Sequence, residues 1–243
     1  MKHVFAVNGS PRLEKGNTDL LLSAFLDGMQ DAGAVVDKVY SSQLAMKSCI
    51  GDFYCHNVVP GECIHKDDMD MLYPRIRKAE ILVLVTPVYI PLPGTFQFFL
   101  NRLYPLIGSF IHTRKGRTRT RFRRDVNIRQ IMLLATCGWW EIDNFITVER
   151  IIREFTEDVS VQYGGAVLRP HADFMRMRGK VTVQGNEVLK AAGLAGNEMI
   201  KYGRISSKIL KKIAQPLISK KESKILLNQQ NQQYNDLDSK HFV

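Results

Sequence analysis

Short, continuous apolar runs recur along this 243-residue chain, and the longest cover residues 81–85 and 131–135. Runs of this length are typical of strands that are buried on both faces of a parallel sheet. Together with shorter runs they predict five strands, over residues 4–7, 35–40, 81–85, 131–136 and 165–168. None approaches the roughly 20 apolar residues that cross a bilayer, so we expect no membrane helix.

Between these runs the apolar residues follow a helical period instead. Over residues 17–33 they place Leu21, Phe25 and Met29 on one stripe. Asn17 or Thr18 is expected to cap this helix at its start, and Gly33 to end it. Similar patterns predict helices over residues 69–78, 95–107 and 145–163, and one long or two shorter helices over residues 186–213. Strands that alternate with helices indicate an α/β protein with a doubly wound parallel sheet, because right-handed crossovers put helices on both faces.

The pattern also divides the chain. Residues 1–185 form the predicted main domain, with a basic insertion at about 112–129, and residues 186–218 form a helical extension. Residues 219–243 are polar and rich in Gln and Asn, so we expect a tail that is flexible or that orders on a partner. The amphipathic basic stretch 205–218 is expected to pack on the domain or on a second subunit rather than on a membrane.

Composition fits a folded globular protein, with 45% apolar and 24% charged residues. The net charge is +10, and residues 114–129 account for +7 of it, with eight basic residues and one acid. Arginines alternate with other residues over 117–123, a period of two that predicts an extended arm or hairpin. This segment could be a solvated loop, a phosphate site for NADPH, or an arm for an acidic partner. We expect no nucleic acid, since only Phe122 interleaves the charges.

The loop 8–18 lies between the first strand and the first helix. It reads Asn-Gly-Ser-Pro-Arg-Leu-Glu-Lys-Gly-Asn-Thr. Glycines and small polar side chains let backbone N–H groups converge on a phosphate, the helix dipole attracts an anion, and Arg12 adds a charged donor. The loop lacks the Gly-Lys-Ser/Thr of nucleoside triphosphate sites and the Gly-x-Gly-x-x-Gly of dinucleotide sites. It therefore predicts a phosphate site of another kind.

Two motifs at the ends of predicted strands carry a family resemblance. Gly9-Ser10-Pro11-Arg12 with Gly16-Asn17-Thr18 follows the first strand, and Thr86-Pro87-Val88-Tyr89 follows the third. With them, residues 1–170 resemble the NAD(P)H-dependent FMN reductase and iron–sulfur flavoprotein families. The resemblance implies a flavodoxin-like five-stranded sheet of order 2-1-3-4-5.

The resemblance also implies a flavin site built from three loops. Its residues would be Ser10, Arg12, Gly16, Asn17 and Thr18 at the FMN phosphate, Pro87, Val88 and Tyr89 along the isoalloxazine, and Thr136, Cys137 and Gly138 at the end of the fourth strand. Such loops meet where ligands bind in doubly wound sheets, beyond the carboxyl ends of the strands. Trp139 and Trp140 follow, and either could stack on the flavin or lie in the core.

Three cysteines, Cys49, Cys55 and Cys63, lie close together in sequence. The segment resembles the cysteine segment of iron–sulfur flavoproteins, but Asp52 stands where a compact [4Fe–4S] ligand set would have a cysteine. Free thiols in a partly buried loop are therefore favoured. Two alternatives remain for this segment: a [4Fe–4S] cluster, or a zinc ion bound by the three thiolates and by His56 or His65.

These observations predict a flavoenzyme that passes hydride from NAD(P)H to FMN and then reduces a small acceptor such as a quinone or a flavin. The alternative is an electron carrier, like flavodoxin or an iron–sulfur flavoprotein, without pyridine-nucleotide activity. Hydride transfer requires no side-chain acid or base, so we assign no catalytic residue. No secretory signal follows Met1, which favours the cytoplasm. We expect a homo-oligomer, a dimer or larger, and no membrane partner.

Overall fold

Five parallel strands form the central sheet of the computed structural model, which describes the backbone of residues 1–241 and the side chains of residues 1–232. In chain order the strands are β1 (His3–Asn8), β2 (Val35–Tyr40), β3 (Ile81–Pro87), β4 (His112–Arg114), β5 (Arg117–Arg119), β6 (Gln130–Thr136), β7 (Gln162–Arg169), β8 (Arg176–Met177) and β9 (Lys180–Val181). The sheet order is β2-β1-β3-β6-β7, and β4-β5 and β8-β9 are separate hairpins. The predicted order 2-1-3-4-5 is confirmed.

Helices cover both faces of this sheet. They are α1 (Asn17–Asp31), α2 (Tyr54–Asn57), α3 (Met69–Lys78), α4 (Gly94–Asn101), α5 (Ile146–Asp158), α6 (Val183–Tyr202), α7 (Ser207–Ala214) and α8 (Lys220–His241). Successive residues of β1 point to opposite faces: Phe5 and Val7 join the core under α3, α4 and α5, while Val4 and Ala6 join the core under α1, α6 and α7. None of the described helices is long and apolar enough to cross a membrane.

Helices α1 and α6 approach each other closely. A side chain at Gly28 would overlap the backbone of Gly193, and one at Gly196 would overlap the backbone at Phe25. The glycines thus permit backbone contact between the helices. Most of the segment predicted as a C-terminal extension therefore packs directly on the first helix of the sheet domain.

Of the extended arm and the hairpin that the sequence left open for the basic segment, the structure shows a hairpin over residues 112–119. Strands β4 and β5 pair antiparallel across Lys115 and Gly116, both at positive φ. The hairpin then packs on α5: the Thr120 backbone N–H donates to the Asp158 carbonyl oxygen (3.0 Å), and the Phe122 ring meets Phe155 edge-on. It is an ordered part of the domain rather than a free arm.

The segment expected as a polar tail is helical as far as the structure describes it, because residues 220–241 form helix α8. Ser219 and Glu222 cap the helix reciprocally: the Glu222 backbone N–H donates to Ser219 Oγ (3.2 Å), and the Ser219 N–H donates to the Glu222 carboxylate (2.9 Å). This Ser-x-x-Glu capping box is visible in the sequence. Residues 242 and 243 lie outside the described backbone.

Several helix ends also differ from the predictions. The helix expected over 95–107 ends at Asn101, before a 3₁₀ turn that contains Pro105, and the one expected over 145–163 ends at Asp158. Strand β7 then begins at Gln162, earlier than expected. Its Gly164 and Gly165 lie at an irregularity in the pairing with β6, which hides the strand pattern.

Candidate active site

All eleven predicted site residues line one cavity of about 320 Å³ at the carboxyl edge of the sheet. The loops after β1, β3 and β6 bring them together, at the point where the strand order reverses. Ala172 and Asp173, from the loop after β7, complete the lining. The sequence motifs thus converge in space, and we refer to this space as the inner cavity.

Buried hydrogen bonds fix the first loop. The Ser10 backbone N–H donates to Asn8 Oδ1 (2.9 Å), and Asn8 Nδ2 donates to Asp19 Oδ1 (3.0 Å). Asp19 also accepts from Lys38 Nζ (3.1 Å) and from the Tyr40 hydroxyl (2.9 Å). Burial raises the pKa of Tyr40, so its hydroxyl stays a donor. This network holds the loop open without filling it, as a preformed anion site requires.

Small and hydroxylated residues shape the inner cavity next to this loop. We refer to the concave side of the loop from Ser10 to Thr18 as the cradle. A side chain at Gly16 would lie 3.1 Å from both Ser10 Oγ and Arg12 Cβ, so it would fill the cradle. Ser10 is almost fully buried, and the buried hydroxyls of Thr18 and Thr136 lie 2.7 Å apart. Glycine, hydroxyls, the N-terminus of α1 and the Arg12 guanidinium together suit a phosphate.

The expected side-chain cap of α1 is wrong. Gly16 is the N-cap residue, and neither Asn17 nor Thr18 caps the helix. Asn17 Nδ2 donates instead to Asp173 Oδ1 (3.0 Å), and the Thr18 hydroxyl contacts Thr136. The backbone N–H groups at the start of α1 are therefore left for a ligand.

Of the two lining residues that the sequence did not indicate, Ala172 and Asp173, only Asp173 carries a charge. Its carboxylate lines the inner cavity beside the cradle, and it holds Asn17. A carboxylate repels a phosphate, which makes Asp173 the one group in this site that opposes the predicted ligand. It lies in the 3₁₀ turn Ala172–Met175, whose position depends on the end of β7.

Backbone hydrogen bonds connect the loops on the other side of the cavity. The Val88 N–H donates to the Thr136 carbonyl oxygen (2.8 Å), and the Cys137 N–H donates to the Arg169 carbonyl oxygen (3.0 Å). Burial raises the pKa of Cys137, which keeps the thiol protonated and uncharged beside the cavity. These loops offer a neutral wall, suited to an apolar ring rather than to a phosphate.

Behind this wall lies a buried arginine without a carboxylate partner among the described residues. Arg169 donates to the carbonyl oxygens of Ile213 (2.6 Å) and Gln215 (2.8 Å), and to His171 Nε2 (2.8 Å). His171 Nε2 also accepts from the Leu217 N–H (3.0 Å). Burial and the charge of Arg169 lower the pKa of His171 to about 4, and burial lowers the pKa of Arg169 to about 10. The pair fastens the C-terminal helices to the site.

Neither tryptophan lines the inner cavity. Trp140 stacks on His171, with ring centroids 5.8 Å apart, and its Nε1 donates to the Ile218 carbonyl oxygen (3.3 Å). Trp139 is 65% exposed. Of the two positions that the sequence left open, Trp140 packs in the structure, and Trp139 lies at the surface close to the site.

The cysteine segment does not form a ligand set. Cys55 and Cys63 are buried, Cys49 is exposed, and all three are free thiols. In the part of the chain that is described, no three His, Cys, Asp or Glu side chains converge on a possible metal position. Burial, and then the neighbouring Cys63, raise the pKa of Cys55, which disfavours a thiolate. The residues present therefore do not fit a [4Fe–4S] cluster or a Cys₃His zinc site.

Comparison with known proteins decides the family. Residues 2–139, more than half of the chain, match the family model described as NADPH-dependent FMN reductase. The chain belongs to the NADPH-dependent FMN reductase family. This confirms the resemblance that the loop motifs indicated, and both FMN and NADPH stand in the family's description.

Relatives agree with this assignment. An iron–sulfur flavoprotein of Archaeoglobus fulgidus is 33% identical over 98 residues, which are 40% of this chain and 43% of that protein. One of Methanocaldococcus jannaschii is 35% identical over 115 residues, 47% of this chain and 57% of that protein. The chain thus spans about half the length of these two curated relatives.

A solved structure supports the fold. The NAD(P)H:quinone oxidoreductase of Methanothermobacter marburgensis superimposes with a TM-score of 0.55 at 16% identity, covering 82% of this chain and 96% of that one. At this identity the likeness shows the fold alone. The flavodoxin-like expectation is confirmed.

Proposed function

We propose that this protein is an FMN-dependent oxidoreductase that takes hydride from NAD(P)H and passes electrons to a small acceptor such as a quinone or a flavin. The observation that carries the proposal is the inner cavity, where all eleven residues of the family motifs meet. FMN, when bound, supplies the redox chemistry, and the protein supplies position and electrostatics.

The residues divide the cavity into two ends. Ser10, Arg12 and the free N–H groups of α1 bind the phosphate end, because this is where positive charge and donors converge. Pro87 to Tyr89 lie along the isoalloxazine, next to the uncharged Cys137 thiol. Gly138, exposed at the rim, leaves the ring accessible from outside. Gly16, Asn17, Thr18, Val88 and Thr136 complete the assignment.

Stopped-flow mixing tests the reaction. The FMN-loaded protein is mixed without oxygen with NADPH or with NADH, and the flavin absorbance near 450 nm is followed. We expect one or both donors to bleach the flavin, and the donor preference to appear as a difference in rate. If FMN is bound but neither donor bleaches it, the result would support the alternative, an electron carrier, and would refute the oxidoreductase proposal.

Quaternary structure is part of the proposal. Tyr89, Ile90 and Trp139 lie at or beside the rim of the inner cavity and are 49%, 99% and 65% exposed. Exposed apolar side chains next to a site favour cover by another subunit, so we propose a homo-oligomer. Light scattering coupled to gel filtration measures it, and a monomer at micromolar concentration would contradict it.

We further propose that the protein works in a reducing compartment such as the cytoplasm, which its four free cysteines support.

The proposed division of the chain, with a main domain to residue 185 and helices after it, can be tested by limited proteolysis. Residue 185 lies inside α6, which packs on α1 through Gly28 and Gly196. First cuts after α6 would therefore move the boundary of the main domain from residue 185 to the end of this helix, and first cuts near residue 185 would support the division as proposed.

A further inference from the structure

A second, larger cavity opens beside the phosphate end of the inner cavity, with a volume of about 1130 Å³. We refer to it as the outer cavity. Its walls are the loop after β1, the β8-β9 hairpin and helix α8. Arg12, Asn17 and Asp173 line both cavities. The outer cavity therefore continues from the place where the proposed function puts the FMN phosphate.

Positive charge dominates the outer cavity. Four cationic side chains line it, Arg12, Lys15, Arg176 and Arg178, against the carboxylates of Glu14 and Asp173. None of the four cations forms an ion pair with a described residue, whereas Lys115, Arg117 and Arg119 of the β4-β5 hairpin all do. Arg176 donates to the Lys15 carbonyl oxygen (3.0 Å), which fastens the hairpin to the loop. Unpaired cations around a concave surface suit a second phosphate.

The far walls are apolar. Phe174 and Met177 come from the segment after β7, and Leu226 and Leu227 come from α8. Met177 is 58% exposed and Leu226 is 41% exposed, so apolar surface faces the space of the outer cavity. Cationic groups beside the phosphate cradle, followed by apolar walls, are the surroundings that a phosphate linked to an aromatic base requires.

We propose that the outer cavity receives the adenylate half of FAD, so that the protein binds FAD as well as FMN. The inference rests on the proposed function, since it needs the flavin ring in the inner cavity. In FAD the flavin phosphate is joined to AMP, and the ligand must leave the cradle on its phosphate side. The three shared residues put the outer cavity on that side.

The adenylate of NADPH is the other source of the same chemistry. Hydride transfer requires the nicotinamide to lie against the isoalloxazine, which the proposed function puts at Pro87 to Tyr89, away from the phosphate end. FAD reaches the outer cavity by continuing from the cradle itself. The geometry therefore favours FAD, and the experiment separates the two sources.

Flavin exchange tests the proposal. FMN-loaded protein is equilibrated with an equimolar mixture of FMN and FAD, and the bound flavins are separated and measured. We expect FAD to be bound at least as well as FMN. Arg178→Gln should lower the ratio of bound FAD to bound FMN by about tenfold, the loss of one charge-assisted contact. Lys180→Gln removes a charge from the same hairpin outside the cavity lining and should leave the ratio unchanged.

Three outcomes would overturn the inference. FAD that binds more than tenfold more weakly than FMN would show that the cradle is closed beyond the phosphate. A ratio that Arg178→Gln does not change would remove the outer cavity from flavin binding. A raised KM for NADPH in Arg178→Gln, with the ratio unchanged, would assign the cavity to the nicotinamide donor. In all three cases FMN still binds, whereas a protein that binds neither flavin would refute the proposed function as well.

Discussion

The β4-β5 hairpin and the carboxyl edge of the sheet are both rich in basic side chains, but they use them differently. In the hairpin, Arg117 Nη1 lies 3.0 Å from Glu154, and Lys115 Nζ lies 3.3 Å from Glu157, so helix α5 neutralises much of the charge. At the carboxyl edge, Arg12 and Arg169 have no carboxylate partner among the described residues. A charge count along the chain points to the hairpin, yet three of its four basic residues, Lys115, Arg117 and Arg119, are paired with acids of α5, whereas Arg12 at the inner cavity has no such partner in the part of the chain that is described.

The largest expected effect concerns the pair formed by Arg169 and His171. The Arg169 guanidinium donates hydrogen bonds to backbone carbonyl oxygens and to the uncharged His171 ring. Because the pKa of folded His171 is lowered to about 4, the unfolded chain binds a proton that the folded chain does not bind between about pH 6.5 and pH 4. The free energy of unfolding should therefore fall as the pH drops through this window, by up to about 3 kcal/mol. Urea unfolding at several pH values measures it.

The control for this pH dependence is His171→Asn, which should flatten the slope between pH 6.5 and pH 4. His3→Asn, at an exposed histidine, should keep the wild-type slope. Equal slopes in all three proteins would show that the Arg169–His171 pair does not govern stability at the carboxyl edge.

Arg12→Gln tests the unpaired cation at the cradle. We expect the free energy of FMN binding to weaken by about 1.5 to 3 kcal/mol, because a charge-assisted contact to the phosphate is lost. Fluorescence titration of FMN measures it. Arg117→Gln, in the hairpin, serves as the matched control and should bind FMN like the wild type. Equal losses in both variants would remove the distinction between the two regions.

Glu154→Gln tests the paired region. This carboxylate lies within 4 Å of Arg117, Arg119 and Arg150. Arg117 and Arg150 are largely exposed, and Arg119, which is buried, lies farthest from the carboxylate at 3.6 Å. The free energy of unfolding should therefore fall by no more than about 1 kcal/mol, and FMN affinity should not change. High salt should remove most of the difference in melting temperature. A clear change in FMN affinity would connect the hairpin to the site.

Asp173→Asn has the smallest expected effect. The amide can still accept from Asn17, while the negative charge beside the cradle is removed. We expect FMN to bind a few-fold more tightly, less than about 1 kcal/mol, since Asp173 is exposed. A tenfold loss of FMN affinity would contradict this, and would mean that the carboxylate accepts hydrogen bonds from the ligand.

The position of a site residue along the chain explains whether it could be predicted from the sequence. The cradle residues from Ser10 to Thr18 are contiguous and stand between a strand and a helix, so local sequence and sheet topology sufficed. His171 and Asp173 come after β7, whose pattern is interrupted by two glycines, and nothing local distinguishes them. The helix after Ser219 had a readable signal, the capping box, beneath its polar composition.

The sequence by itself determined the doubly wound sheet and the three loops that meet at its carboxyl edge, and the family resemblance of the loop motifs implied the strand order. Buried strands need continuous apolar runs, and the crossover rules leave few topologies. Only the tertiary structure decided which arginines face acids and which face a cavity. The first depends on the contacts of β4-β5 with α5, and the second on how the loop after β1, the β8-β9 hairpin and α8 surround the outer cavity. The charge of a residue can be counted from the sequence, whereas the group that neutralises this charge depends on which residues lie next to it in the folded protein.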